Sequence, residues 1–110
     1  MTYPKPDDLG NAPVWDIYIL AQAVQASLGQ IPSHTLAFGV EVDGLRVCLI
    51  FRLSEISGTD DDDISDIVSE FEGLVGSHVV VRLSREIGDR PKVSPQESAW
   101  WIFIAREADD

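Results

Sequence analysis

His34-Thr35-Leu36-Ala37-Phe38-Gly39-Val40-Glu41-Val42-Asp43-Gly44-Leu45-Arg46-Val47-Cys48-Leu49-Ile50-Phe51-Arg52-Leu53 is the stretch that decides the fold. Side chains alternate over 34–42 and again over 45–53, the two-residue period of a half-buried strand. Asp43-Gly44 separates the two runs and is a preferred dipeptide for a two-residue hairpin turn. With that turn, Val42 is expected opposite Leu45, Val40 opposite Val47, Phe38 opposite Leu49 and Leu36 opposite Phe51, all on one apolar face. The other face then pairs Glu41 with Arg46, Gly39 with Cys48, Ala37 with Ile50 and Thr35 with Arg52.

Working outward, Asn11 is placed to cap a helix that has Pro13 in its first turn. Val14, Ile17, Tyr18, Ala21, Val24 and Leu28 recur at helical spacing and are expected to form its core stripe, with Trp15 and Ile19 to one side. Gly29 and Pro32 end that helix. Beyond the hairpin, Ser57-Gly58-Thr59 breaks the alternation, and Thr59 is the expected N-cap of a second helix. Ile64, Ile67, Val68, Phe71, Leu74 and Val75 form that helix's stripe, and Gly76 closes it. A third strand is expected through Val79, Val81 and Leu83, then a loop over 85–98, then a last strand from Ala99 to Arg106 rich in aromatic and β-branched residues. No repeat of solenoid length is present.

The order α-β-β-α-β-β predicts an α+β two-layer sandwich, with two helices on one face of a four-stranded antiparallel sheet. One topology that fits is a permuted ferredoxin-like fold in which the last strand lies centrally beside the third, because Trp100 to Ala105 is very apolar for an edge. Residues 1–12 read as a flexible lead-in, 13–107 as a single domain and 108–110 as an acidic tail.

The chain has 110 residues, 45% of them hydrophobic, and a formal charge of −11, the composition of one globular domain rather than of a disordered acidic tail. No apolar run approaches the ~20 residues of a membrane span, and no signal-peptide pattern is seen at the start. Cys48 is the sole cysteine, which suits a cytoplasmic setting.

Between Arg52 and Arg82 there is no Lys or Arg, while Glu55, Asp60, Asp61, Asp62, Asp63, Asp66, Glu70 and Glu72 all fall there. Acids in a first helical turn favour the positive end of the macrodipole, which accounts for Asp60 to Asp63. It does not account for Asp62, Asp66 and Glu70 at i, i+4, i+8, which repel one another, nor for Glu70 and Glu72 near the negative end. A solvated face and a functional electrostatic surface both remain open. Such a field repels nucleic acid and anionic membrane and attracts basic partners. Four consecutive aspartates lack the spacing and mid-loop glycine of a calcium loop. Two histidines and one cysteine match no zinc spacing, and no phosphate loop, dinucleotide fingerprint or nucleophile elbow occurs, so neither catalytic residues, nor a metal, nor a cofactor is expected.

The sheet face turned from the helices is expected to show Glu41, Arg46, Cys48, Ile50 and Arg52, with either Trp100 or Trp101 among them. Either the 85–98 loop or the N-terminal segment folds over this face, or it is a partner or dimer surface, since Trp and Arg are hot-spot residues.

In size, charge and the acidic 55–72 region the chain resembles the small acidic immunity proteins of bacterial polymorphic or contact-dependent toxin systems. That resemblance implies a non-enzymatic inhibitor that binds a basic, nuclease-type toxin domain. Asp62, Asp63, Asp66, Glu70 and Glu72 would be the electrostatic contact, and Trp100 and Trp101 the desolvated one. The alternative class is a dimeric, secretion-chaperone-like interaction domain, a homodimer through the sheet face or through Trp15 and Ile19. A third is an enzyme using His34 or His78.

Overall fold

The computed structural model describes residues 12–90 and 98–105. Its elements are α1 (Ala12–Ser27), β1 (Thr35–Asp43), β2 (Arg46–Leu53), α2 (Gly58–Val75), β3 (Val80–Ile87) and β4 (Trp100–Ile104). The fold is α+β: two helices and one four-stranded sheet in the order β3-β2-β1-β4. Of the expected lead-in over 1–12 only residue 12 is described, and it already belongs to α1; Asn11, residues 91–97 of the expected 85–98 loop and the tail over 108–110 lie outside the described residues, and the loop begins later than expected because β3 continues to Ile87.

The sheet is mixed rather than antiparallel throughout. β1 pairs antiparallel with β2 and with β4, but β2 and β3 run parallel. The cause lies in the connection. α2 has 18 residues, a length of about 27 Å at the helical rise, close to the about 26 Å of an eight-residue strand. The helix therefore carries the chain back along the whole sheet, and the next strand starts at the same end as β2. β3 then occupies the edge beside β2, and the last strand takes the vacant edge beside β1. β4 is thus an edge strand, not the central strand expected beside β3. It is kept short, at five residues, which limits the open edge it offers.

The hairpin forms with its turn one residue further on. Asp43 faces Arg46, Val42 faces Val47, Val40 faces Leu49 and Phe38 faces Phe51. The loop is Gly44-Leu45, with Gly44 at φ 58°, the first-position glycine that two-residue hairpins favour. Because both strands keep their parity, the expected apolar face survives the slip. Phe38, Val40, Val47, Leu49, Phe51 and Leu53 are buried, while Glu41 lies opposite Cys48 instead of Arg46. A bulge between Thr35 and Ala37 ends the regular register.

The helix layer closes over that face. Ile64, Ile67 and Phe71 of α2 join the core. In α1 the expectation reverses for all of the stripe but Tyr18, which packs against the core: Trp15, Ile19, Ala23 and Ala26 are buried, whereas Val14, Ile17, Ala21 and Val24, and Leu28 in the turn just after the helix, are exposed. Trp15 sets this rotation. Its indole N–H donates to the Gly44 carbonyl at 2.9 Å, so the largest side chain of α1 points at the hairpin turn and carries Ile19 inward with it. Trp15 and Ile19 are accordingly core residues and not a dimer surface. Gly29 (φ 76°) follows α1 and Gly76 (φ 88°) caps α2, as the sequence predicts.

On the outer sheet face Trp101 lies directly over Gly39. A Cβ at Gly39 would stand 2.7 Å from Trp101 Cε3 and 2.9 Å from the Trp100 carbonyl oxygen. Gly39→Ala is therefore expected to destabilise the protein by about 1–3 kcal/mol through overpacking, read as a lower midpoint in denaturant. A midpoint equal to wild type would mean that β4 does not dock on β1 as described.

Candidate functional site: an acidic helix anchored by a buried carboxylate

The N-terminus of α2 is built on Ser57 rather than Thr59. Ser57 Oγ accepts from the Asp60 backbone N–H at 3.2 Å, and the Ser57 backbone N–H donates to Asp60 Oδ2 at 2.9 Å, forming a reciprocal capping box. The Ser57 hydroxyl also donates to Asp60 Oδ2 at 2.9 Å. Asp60 is fully buried. A carboxylate cannot stay ionised there without compensation, and the structure supplies it from a second element. His34, just before β1, places Nδ1 2.5 Å from Asp60 Oδ2 and Nε2 2.9 Å from Glu55 Oε1. Both ring nitrogens face carboxylates, so both must donate, and the ring is an imidazolium.

The two groups shift in opposite directions. The Ser57 backbone donor, the His34 ring and the Ser57 hydroxyl hold Asp60 well below the usual carboxylate range, against the opposing effect of burial. The hydrogen bond to Asp60, then the charges of Asp60 and Glu55, raise His34 above its ordinary value. An imidazolium committed on both sides has no lone pair to act as a base. The Ser57 oxygen is occupied by the helix cap, so no activated nucleophile is assembled here. Among the described residues no group of three or more His, Cys, Asp or Glu is placed to hold a metal ion. Cys48 is pushed up, first by burial and then by Glu41, which leaves it a weak nucleophile.

This anchor fixes the rotation of the whole acidic helix. With Asp60, Ile64, Ile67 and Phe71 turned inward, Asp62, Asp66 and Glu70 are exposed and Asp63 is half-buried, on one continuous ridge. Glu70 accepts from Gln30 Nε2 at 2.6 Å, which ties the ridge to the end of α1. Asp60 pairs with His34 and Asp61 with Arg85. No ion pair reaches Asp62, Asp63, Asp66, Glu70 or Glu72 among the described residues.

Glu72 lies on the other flank of α2. There Asp61, Ser65, Val68 and Glu72 face Leu83 and Arg85 of β3 across a groove of about 410 Å³. The two tryptophans do not join either surface. β4 is at the edge of the sheet away from β3: Trp100 sits opposite Val40 on the helix side and Trp101 opposite Gly39 on the outer side, and a register shift between Phe38 and Gly39 then brings Phe103 opposite Phe38. Trp101 is half-buried, with the Arg52 guanidinium 4.8 Å above its ring. Arg52 in turn meets Glu86 at 3.1 Å. His34, Glu55, Ser57 and Asp60 were not expected as a unit. The Ser57-x-x-Asp60 spacing is a capping signal that the choice of Thr59 passed over, and nothing local announces that residue 34 closes the cap.

A pH window follows. Asp60, shifted down, contributes stability that is present above its unfolded value of about 3.9 and is lost as pH falls. His34, shifted up, contributes stability that is present below its unfolded value of about 6.5 and is lost as pH rises through its folded value. Maximum stability is expected between those limits. His34→Ala should remove the decline on the alkaline side, as measured by denaturant unfolding at several pH values. Asp60→Ala should cost about 2–4 kcal/mol through a lost cap and stranded donors. An unchanged pH profile in His34→Ala would show that the ring does not carry the charge. No protein-family model matches this chain, and no curated protein sequence matches it.

Proposed function

We propose that the chain is a non-enzymatic protein-binding module that uses α2 to dock on a basic surface of a partner. On this reading it acts as an immunity protein of a bacterial toxin system, neutralising a basic, nuclease-type toxin domain in the cytoplasm. One observation carries this reading: five acids of α2 have no basic partner among the described residues, on a helix that is capped and locked in place.

The physics favours a binding role over a solubilising one. Acids at i, i+4, i+8 repel, at a few tenths of a kcal/mol per pair, and a surface serving solubility alone mixes signs. A basic partner removes that repulsion and is steered toward the ridge from a distance. The neighbouring groove supplies what charge alone cannot. In the groove Leu83 is 41% exposed beside Val68, Glu72 rims one side, and Asp61 is already paired with Arg85, so a basic partner lying along α2 and β3 finds apolar contact beside the free carboxylate of Glu72. Asp62, Asp63, Asp66, Glu70 and Glu72 set encounter, and the groove sets residence.

The test replaces Asp62→Asn, Asp66→Asn and Glu70→Gln together. All three positions are exposed, and glutamine at 70 still accepts from Gln30. Association is measured by stopped flow with the basic protein retained by this chain from its native lysate, at several salt concentrations. We expect an on-rate at least about tenfold slower at low salt and a flatter salt dependence. An unchanged on-rate would remove α2 from the interface.

A further inference from the structure

α1 has two apolar faces, and the fold consumes one. Trp15, Ile19, Ala23 and Ala26 lie in the core, while on the far side Val14 is 50% exposed, Ile17 59%, Val24 37% and Leu28 64%, with Ala21 exposed among them. Positions 14, 17, 21 and 24 of the helix, with Leu28 in the turn directly after it, advance by three, four, three and four residues, the a/d spacing of a heptad seam. A stripe serving a globular core is wider than this. Here the buried face, widened by the partly buried Tyr18 and Leu20 that pack against the core, is the broad one, and the narrow seam faces outward.

The seam is also electrically unlike the rest of the molecule. Asp16 is the single charged residue in the helix sequence, in a chain of net charge −11. A basic partner gains nothing electrostatic here and is drawn to α2 instead. A second copy of this acidic chain, by contrast, meets its like with least repulsion at a neutral face. The seam is symmetric as well. Val14 and Leu28 each stand seven residues from Ala21, so an antiparallel copy brings Val14 of one chain opposite Leu28 of the other. A small residue then lies at the crossing point, where helix axes come within 8–10 Å.

We propose that this seam is a self-association surface: two copies of the chain pair through α1, antiparallel, about a twofold axis near Ala21. Its size sets the strength. The seam is about 21 Å long and about 10 Å wide, a footprint far below the ~800 Å² per partner of a standard interface. The dimer is therefore concentration-dependent and exchanging rather than obligate. This inference does not depend on what α2 binds. The two contacts also respond oppositely to salt, which screens the repulsion between copies but weakens docking of a basic partner.

Sedimentation velocity of the full chain from about 1 μM to about 1 mM, at low and high salt, tests the proposal. The expected result is a shift from monomer to dimer with concentration, at lower concentration when salt is high. Ile17→Glu should weaken the dimer at least tenfold while leaving the circular dichroism spectrum unchanged, since the position is exposed. In a Cys48→Ser background, Ala21→Cys should form a disulfide-linked dimer under mild oxidation much faster than Asp62→Cys on α2. A monomer at every concentration and salt, an Ile17→Glu variant that dimerises like wild type, or equal cross-linking of the two cysteine variants would each overturn the proposal.

Discussion

The carboxylate of Asp60 is the constraint on which the rest of the structure turns. It is fully buried at the start of α2, where desolvation alone would neutralise it or expel it. It stays ionised because donors converge from different parts of the chain: the backbone and hydroxyl of Ser57 from the same helix, and the imidazolium of His34 from the entrance to β1. The His34 carbonyl in turn accepts from the Ser54 backbone N–H at the exit of β2. One carboxylate thus joins the beginning of α2 to both ends of the hairpin it must cover. The helix cannot rotate without stranding a buried charge.

That rigidity gives the remaining acids their meaning. Asp60 and Asp61 are absorbed by the cap, by the helix dipole and by the pairs with His34 and Arg85. Asp62, Asp63, Asp66, Glu70 and Glu72 meet no basic side chain among the described residues, and Glu70 accepts a hydrogen bond from Gln30. Their repulsion is stored on a helix held in register by a buried anchor, and a preformed array of like charge binds its opposite without first being ordered. The chemistry at His34 points the same way. Its nitrogens are spent on Asp60 and Glu55, so this buried polar cluster is committed to holding that array in place.

Much of this was legible in the sequence where one local rule sufficed. Alternation over 34–42 and 45–53 identified the hairpin and its buried face, and that face survived a shift of the turn from Asp43-Gly44 to Gly44-Leu45 because faces depend only on parity. Of the second helix's stripe, Ile64, Ile67 and Phe71 are buried and Val68 and Val75 partly so, while Leu74 is exposed; the glycine stops were read correctly. What failed depended on contacts between elements. Periodicity around α1 could not decide between two apolar faces, and the choice came from Trp15 reaching the Gly44 carbonyl. Composition suggested a central β4, but the length of α2 returned β3 parallel to β2 and left β4 at the edge. The Ser57 cap was within reach of the spacing rule, whereas its closure by a histidine twenty-six residues before Asp60 was not.

The two exposed surfaces of the helix layer are linked through their charge. α1 and α2 pack side by side, so copies that meet through the neutral seam of α1 also bring two acidic ridges toward each other. At physiological salt, fields beyond about 8 Å are largely screened, and what repulsion remains opposes the dimer. A basic protein seated on α2 would cancel that charge, and by thermodynamic reciprocity any gain it gave to self-association would return as tighter binding of the basic protein. On the proposed readings, the same acids of α2 that recruit a partner also hold copies of the chain apart until it arrives. A weak, small seam suits this arrangement better than a strong one, because a weak equilibrium is the kind that a change of a few charges can tip.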